Sequence, residues 1–268
     1  MARPALLGVL GGLGPLASAE FVSTLYRLNP APSEQEAPAC LLLSDPSFPD
    51  RTTAILRGDL DPLAVHLSAA LERLAGAGAD RLLIACITVH VALPRVPEPL
   101  RERVVSLLDL AVEELARTPR RRLLLATSGT RAARLFESHP RWPEAAPWIV
   151  LPDEAEQAEL HDWIYRLKAH TAAAPCLAWV ESLAARHGAQ GCVFGCTELH
   201  LLHRVRAEQG ADPLDGWAVD PLLAAARDFR SLVAGASGKV AASGAAEVSA
   251  GSGAAGAAPV GYNSVIPA

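Results

Sequence analysis

Two of the five cysteines, Cys86 and Cys196, sit in matching surroundings. Gly78-Ala79-Asp80 precedes the apolar run Leu82–Ala85 and then Cys86, and Gly188-Ala189-Gln190 precedes Cys192–Gly195 and then Cys196. In each copy the cysteine lies 8 residues after the glycine, and a histidine, His90 or His200, follows it by 4. A thiolate is a strong base or nucleophile where a cation or helix N-terminus lowers its pKa. One cysteine facing a ligand suggests covalent catalysis. Two cysteines on opposite faces of one carbon suggest proton exchange: one removes a proton as thiolate, the other returns one as thiol, and the centre inverts. The carbanion formed on the way needs its carboxylate held. The hydroxyls of Thr88, Thr127, Thr130 and Thr197, with backbone N–H groups of the glycine turns, are the available donors.

Positioning such groups falls to short apolar runs that alternate with amphipathic stretches. Leu6–Leu10, Cys40–Leu43, Leu82–Ala85, Leu123–Ala126 and Cys192–Gly195 read as buried strands. Leu16–Leu28, Pro62–Ala75, Pro97–Ala116, Gln157–Lys168, Ala174–Arg186 and Pro221–Val233 read as helices. Continuous apolar strands alternating with helices predict an α/β fold with parallel sheets. A second echo keeps the same order: Leu7–Leu10 runs into Gly11-Gly12-Leu13-Gly14, and Leu123–Ala126 runs into Thr127-Ser128-Gly129-Thr130. A repeat this long indicates a duplicated domain rather than a solenoid. The expectation is two pseudo-symmetric, flavodoxin- or Rossmann-like parallel-sheet domains. Residues 1–116 and 213–234 form the first, and 117–212 form the second. Ligands of open parallel sheets bind beyond the carboxyl ends of the strands. Cys86, Cys196 and both turns are at such ends, so facing halves would share one cleft.

Composition limits the alternatives. Of 268 residues half are hydrophobic and 20% charged, and the mean hydropathy is +0.21. A chain so composed can bury a core, which excludes general disorder. The formal charge of −5, from 24 basic and 29 acidic residues, leaves no basic excess for nucleic acid. No run reaches the roughly 18 apolar residues of a membrane span. Five cysteines, an odd number in a long chain, argue against a secreted disulfide framework and for a cytoplasmic location. The apolar N-terminus ends in Ala17-Ser18-Ala19, like a signal peptide, but the glycines at 11, 12 and 14 fit a strand and tight turn better. From residue 235 to 268 the chain is mostly Ala, Gly and Ser and reads as a flexible tail, with Gly261–Ile266 as its one apolar segment.

The ordered motifs Gly11-Gly12-Leu13-Gly14-Pro15, Pro49-Asp50-Arg51-Thr52, Cys86-Ile87-Thr88-Val89-His90, Ala126-Thr127-Ser128-Gly129-Thr130 and Gly195-Cys196-Thr197-Glu198-Leu199 resemble the PLP-independent aspartate/glutamate racemase superfamily, nearest its aspartate racemase branch. The resemblance spans Leu6 to Val233. It implies a cofactor-independent isomerase that racemises an acidic or related α-amino acid through a carbanion, with Cys86 and Cys196 as the two bases. It implies that Thr88, Thr130 and Thr197 hold the α-carboxylate, with Thr127 in the same turn, Gly12 and Leu13 in the first turn, and Glu198 beside Thr197. Arg51 and Lys168 match basic residues that receive the side-chain carboxylate of an acidic substrate. Members have two pseudo-symmetric domains, a last helix that returns to the first domain, and often a dimeric state.

Ile87 departs from the pattern, which usually has an asparagine there that binds polar groups of the substrate. A less polar or differently substituted substrate is one consequence. The alternatives are another carbanion reaction on the same fold, such as decarboxylation or cis–trans isomerisation of a small acid, or a non-catalytic small-acid binder. His200 stands where an apolar residue is common and reads as a surface residue or one behind the site, rather than a third base.

The remaining features read as structural. Cys40, Cys176 and Cys192 are expected as small buried hydrophobes. Cys192 and Cys196 lack a CxxC spacing, and His139, His161 and His170 are scattered, so no metal is expected. Glu198 either orients its neighbours or caps a helix. The glycine turn does not follow G-x-G-x-x-G, and only two lysines, Lys168 and Lys239, exist to carry PLP.

Overall fold

The computed structural model describes residues 4–169 and 173–240. Strands β1 (Leu6–Gly11), β2 (Ala39–Ser44), β3 (Arg81–Ile84) and β4 (Val104–Val105) form one parallel sheet in the order β2-β1-β3-β4. Strands β5 (Arg122–Ala126), β6 (Ile149–Val150), β7 (Cys192–Gly195) and β8 (Ala218–Val219) form a second in the order β6-β5-β7-β8. The two orders are the same, so the chain is duplicated in topology as well as in motif. In each sheet the chain starts at an inner strand, steps to one edge, then crosses back to the other side. The reversal falls between β1 and β3, and between β5 and β7, and a crevice opens at the carboxyl ends of such pairs.

The inner strands are buried along almost their whole length because helices cover both faces. Helix Asp61–Gly76 covers the outer face of the first sheet through Leu63, Leu67, Leu71 and Leu74. Helices Glu154–Lys168 and Ala173–Arg186 do the same for the second through Leu160, Ile164, Leu177 and Val180. The third apolar cluster is shared: Leu7, Val9 and Leu83 of one sheet join Leu124, Ala126 and Val193 of the other, with Phe21 and Phe136. The halves therefore meet across a common core. Helix Pro221–Arg227 packs on helices Pro15–Leu28 and Leu107–Arg117. Asn29 Nδ2 fastens it there by donating to the Ala226 carbonyl at 2.7 Å.

Three expected elements differ. The stretch 97–116 is not one helix: a turn at Glu98–Arg101 gives way to β4 before helix Leu107–Arg117 begins. Val104 and Val105 pair with Leu82 and Leu83, and Ser106 then caps the helix by accepting from Asp109 N at 3.1 Å. The last helix breaks at Asp228, whose carboxylate is held by Arg227, and resumes as Phe229–Val240. That second piece makes residues 235–240 helical, where a flexible tail was expected. The rest of that tail, including Gly261–Ile266, lies outside the described residues. No helix among the described residues is long and apolar enough to cross a membrane.

Candidate active site

Cys86 and Cys196 each lie just beyond the carboxyl end of equivalent strands, β3 and β7, and each leads into a 3-10 turn, Thr88–Arg95 or Thr197–His200. The turn after β1 depends on Gly12, which has φ +89 and lies against the Asp45 backbone, where a Cβ has no room. Gly14 caps the next helix, and a Cβ on it would strike the Glu198 carboxylate of the other half. After β5, Thr127 Oγ1 accepts from Thr130 N at 3.1 Å and starts helix Ser128–Ala132. Four strand ends thus converge, and both thiols are buried there, with Cys86 6% and Cys196 3% exposed.

The charged groups form one set. Cys196 Sγ donates to Glu198 Oε2 at 2.8 Å, and Glu198 Oε1 lies 3.8 Å from Lys168 Nζ. Burial first, and then the Glu198 carboxylate, push the Cys196 thiol well above its ordinary range. Burial opposes the charge of Lys168, but Glu198, Cys196 and Cys86 outweigh it and raise the pKa. Arg51 behaves alike: burial lowers it, and Cys86, Glu198 and Asp50 raise it more. Both thiols therefore lie within electrostatic reach of the same ammonium group. Arg51 is buried at the first turn of helix Arg51–Arg57 and donates to the carbonyls of Leu13 at 2.7 Å and Pro49 at 3.2 Å. Lys168 closes helix Glu154–Lys168, with Nζ 4.7 Å from the Tyr165 ring centroid.

The hydroxyls face each other across the halves. Thr88 Oγ1 lies 3.2 Å from Thr127 Oγ1 and 2.9 Å from Thr130 Oγ1, and Thr197 Oγ1 donates to the Ala85 carbonyl at 3.0 Å. A carboxylate entering here would exchange these hydroxyl contacts for its own, so little is lost on binding.

The remaining expected residues separate. Gly12 and Leu13 line the turn, and Leu13 packs in the cluster that holds Cys86. Ile87, 1% exposed, belongs to the shared apolar core with Phe136 and Val193. Glu198 makes no side-chain cap and instead holds a thiol and an ammonium, which leaves the orienting role. His200 is fully buried, so the surface reading is corrected. Cys176 and Cys192 are buried as expected, whereas Cys40 on β2 is only half-buried. Desolvation raises the thiol of Cys40 to about 11 and those of Cys176 and Cys192 to about 12, and they stay protonated.

Sequence reading missed three supports. Tyr165 donates to Asp50 Oδ2 at 2.7 Å, while Asp50 Oδ1 accepts from Thr53 N, which anchors the Arg51 helix to the opposite half. His161 Nδ1 accepts from Ser128 N at 3.3 Å behind the threonine turn. His90 Nδ1 bonds the Cys86 carbonyl at 2.9 Å. The repeated histidine four residues after each cysteine was the signal for the last. Nothing local marked the first two.

A family model for Asp/Glu/Hydantoin racemase matches residues 10–228. Among solved structures, the chain is similar to Picrophilus torridus aspartate racemase, with a TM-score of 0.69 and 21% identity over 87% of this chain and 94% of that one. It is also similar to an aspartate racemase homologue from Pyrococcus horikoshii OT3, with a TM-score of 0.59, 22% identity, and 86% and 98% coverage. A glutamate racemase from Campylobacter jejuni subsp. jejuni matches with a TM-score of 0.56 and 15% identity over 84% of this chain and 85% of that one. Identities this low show the shared fold.

Proposed function

The chain belongs to the Asp/Glu/Hydantoin racemase family, and from that premise we propose that it inverts the α-carbon of an acidic amino acid, aspartate or glutamate, by a two-thiol mechanism without a cofactor. One observation carries the reading: Cys86 and Cys196 end equivalent strands of the two halves, and the carboxylate that accepts from the Cys196 thiol lies 3.8 Å from Lys168. In the forward direction Cys196 starts as the thiol, because burial and Glu198 keep its proton on. Cys86, on the other half, is then the base that takes the α-proton. Two electrons stay on the α-carbon, delocalised into the carboxylate held by Thr88, Thr127 and Thr130. Cys196 delivers its proton to the opposite face, which leaves the two thiols with exchanged protonation states. Arg51 and Lys168 supply positive charge for the substrate's second carboxylate.

Incubation with single enantiomers of aspartate and glutamate in D₂O tests this. Deuterium entering the α-position together with appearance of the other enantiomer is the expected result. Exchange with neither amino acid would reject the reading. Release of CO₂ would mark a decarboxylase, and binding without exchange a non-catalytic relative.

A further inference from the structure

Behind the cleft, His200, His203 and Asp220 form a buried cluster with side chains 0%, 6% and 1% exposed. His200 ends the 3-10 turn, His203 follows in helix Leu201–Glu208, and Asp220 caps helix Pro221–Arg227 just after β8. Asp220 Oδ2 is 2.5 Å from His200 Nδ1 and 3.2 Å from His203 Nε2, and one donor atom from each residue lies within 4.8 Å of the others. Asp220 Oδ1 is already taken by Leu222 N at 2.9 Å, so Oδ2 faces the histidines alone. On the far side of the ring, His200 Nε2 meets Thr24 Oγ1 at 3.1 Å, which fixes the direction of Nδ1.

His203 supplies the second, independent observation. Both of its ring nitrogens are buried without a hydrogen-bond partner, and the approach of Nε2 to Asp220 lacks hydrogen-bond alignment. A buried polar group left so is unfavourable unless something else engages it. Its ring also borders a cavity of about 120 Å³ beside Thr24, Leu28 and Leu223. Two arginines reach that cavity, but Arg27 is paired with Glu20 and Arg204 with Glu208.

We propose that His200 Nδ1, His203 Nε2 and Asp220 Oδ2 bind a divalent transition-metal ion of the zinc type, with a fourth position open to the cavity. Two imidazoles and a carboxylate match the donor preferences of such ions. Tetrahedral metal–nitrogen bonds of about 2.0–2.1 Å separate neighbouring donors by roughly 3.3 Å. The His203–Asp220 spacing already suits this, and the His200–Asp220 pair opens by under ~1 Å as the proton between them leaves to solvent. The two imidazole nitrogens, within 4.8 Å of each other, close by up to about 1.5 Å. Thr24 then accepts from His200 Nε2–H, a role usual for the outer partner of a metal-bound imidazole. The ion would tie helix Leu201–Glu208 to the start of the helix that returns to the first half.

Protein stripped with a chelator and titrated with Co²⁺ tests the site. Uptake of one equivalent, visible bands of a tetrahedral ion and a raised thermal midpoint are expected. Because His203 Nδ1 has no partner and Nε2 makes only a misaligned 3.2 Å approach to Asp220, His203→Ala should fold yet lose the binding, and Thr24→Val should weaken it roughly tenfold. A Cys86→Ser/Cys196→Ser variant should bind as the wild type does, which separates this cluster from the thiols. No Co²⁺ uptake by the stripped wild type, or undiminished uptake by His203→Ala, would overturn the proposal.

Discussion

The Cys196 thiol donates a hydrogen bond to Glu198 Oε2 across 2.8 Å, while the other oxygen of that carboxylate lies 3.8 Å from Lys168. The proton on Cys196 is thus held by burial and by a neighbouring negative charge, whose own counter-ion is the Lys168 ammonium group. Glu198→Gln keeps the shape and removes the charge. The Cys196 thiolate, followed by ultraviolet absorbance against pH in a Cys86→Ala background, should then form at lower pH by ~1 unit. An unchanged midpoint would show that burial alone sets it. The sign for stability follows: a thiol raised in the folded state stabilises below its ordinary pKa of 9.0, and that contribution fades as pH climbs through the folded value.

On the proposed mechanism each thiol serves one face of the carbon, so removing either should stop racemisation. Cys86→Ala and Cys196→Ala are each expected to lower turnover by about 10³-fold or more. The Cys196→Ala protein, still holding Cys86, should wash deuterium into one enantiomer only. Full activity in either variant would refute the pairing.

Thr88→Val removes the hydroxyl that reaches from the first half to Thr127 and Thr130. These two remain 3.0 Å apart and bonded to each other, so the stability loss should be only about 1 kcal/mol. If Thr88 holds the substrate carboxylate as proposed, catalytic efficiency should fall about 10²-fold, because the developing charge loses a donor. Steady-state kinetics beside urea unfolding separates the two effects.

Ile87→Asn distinguishes a core position from a substrate contact. An amide placed at this 1% exposed site would lack partners and forfeit apolar burial, at about 3 kcal/mol. A lower urea midpoint is expected. Unchanged stability with an altered KM would instead place residue 87 against the substrate.

His90 gives a pH prediction. Burial lowers it from 6.5 to about 4, despite the bond from Nδ1 to the Cys86 carbonyl. Between those values the unfolded chain binds the extra proton, so stability falls as pH drops from 6.5 toward 4, by up to about 3 kcal/mol. His90→Gln should flatten that slope in unfolding curves at pH 5 and 7, and should also loosen the turn that carries Cys86.

Much of the fold was legible because continuous apolar strands and repeated turn signals are local. β1, β3, β5 and β7, the four strands that bear the cleft, come within a residue or two of their expected bounds. The two-residue strands β4, β6 and β8 are too short to carry a pattern, and β4 therefore vanished into an expected helix. Tyr165 and Asp50 illustrate the rest: they are far apart in sequence, and only the apposition of the halves makes one the partner of the other.

By itself the sequence determined the duplication, the parallel α/β class and the two strand-end thiols, because burial periodicity and glycine turns are written in neighbouring residues. Tertiary structure alone decided which groups meet. It pointed Ile87 into the shared core and set Glu198 between a thiol and an ammonium group. It also brought Asp220 beside His200 and His203, since the pairing of β7 with β8 returns the chain to their side of the sheet. Such meetings depend on how strands pair and helices pack, within a half as well as between halves, and no local propensity encodes that.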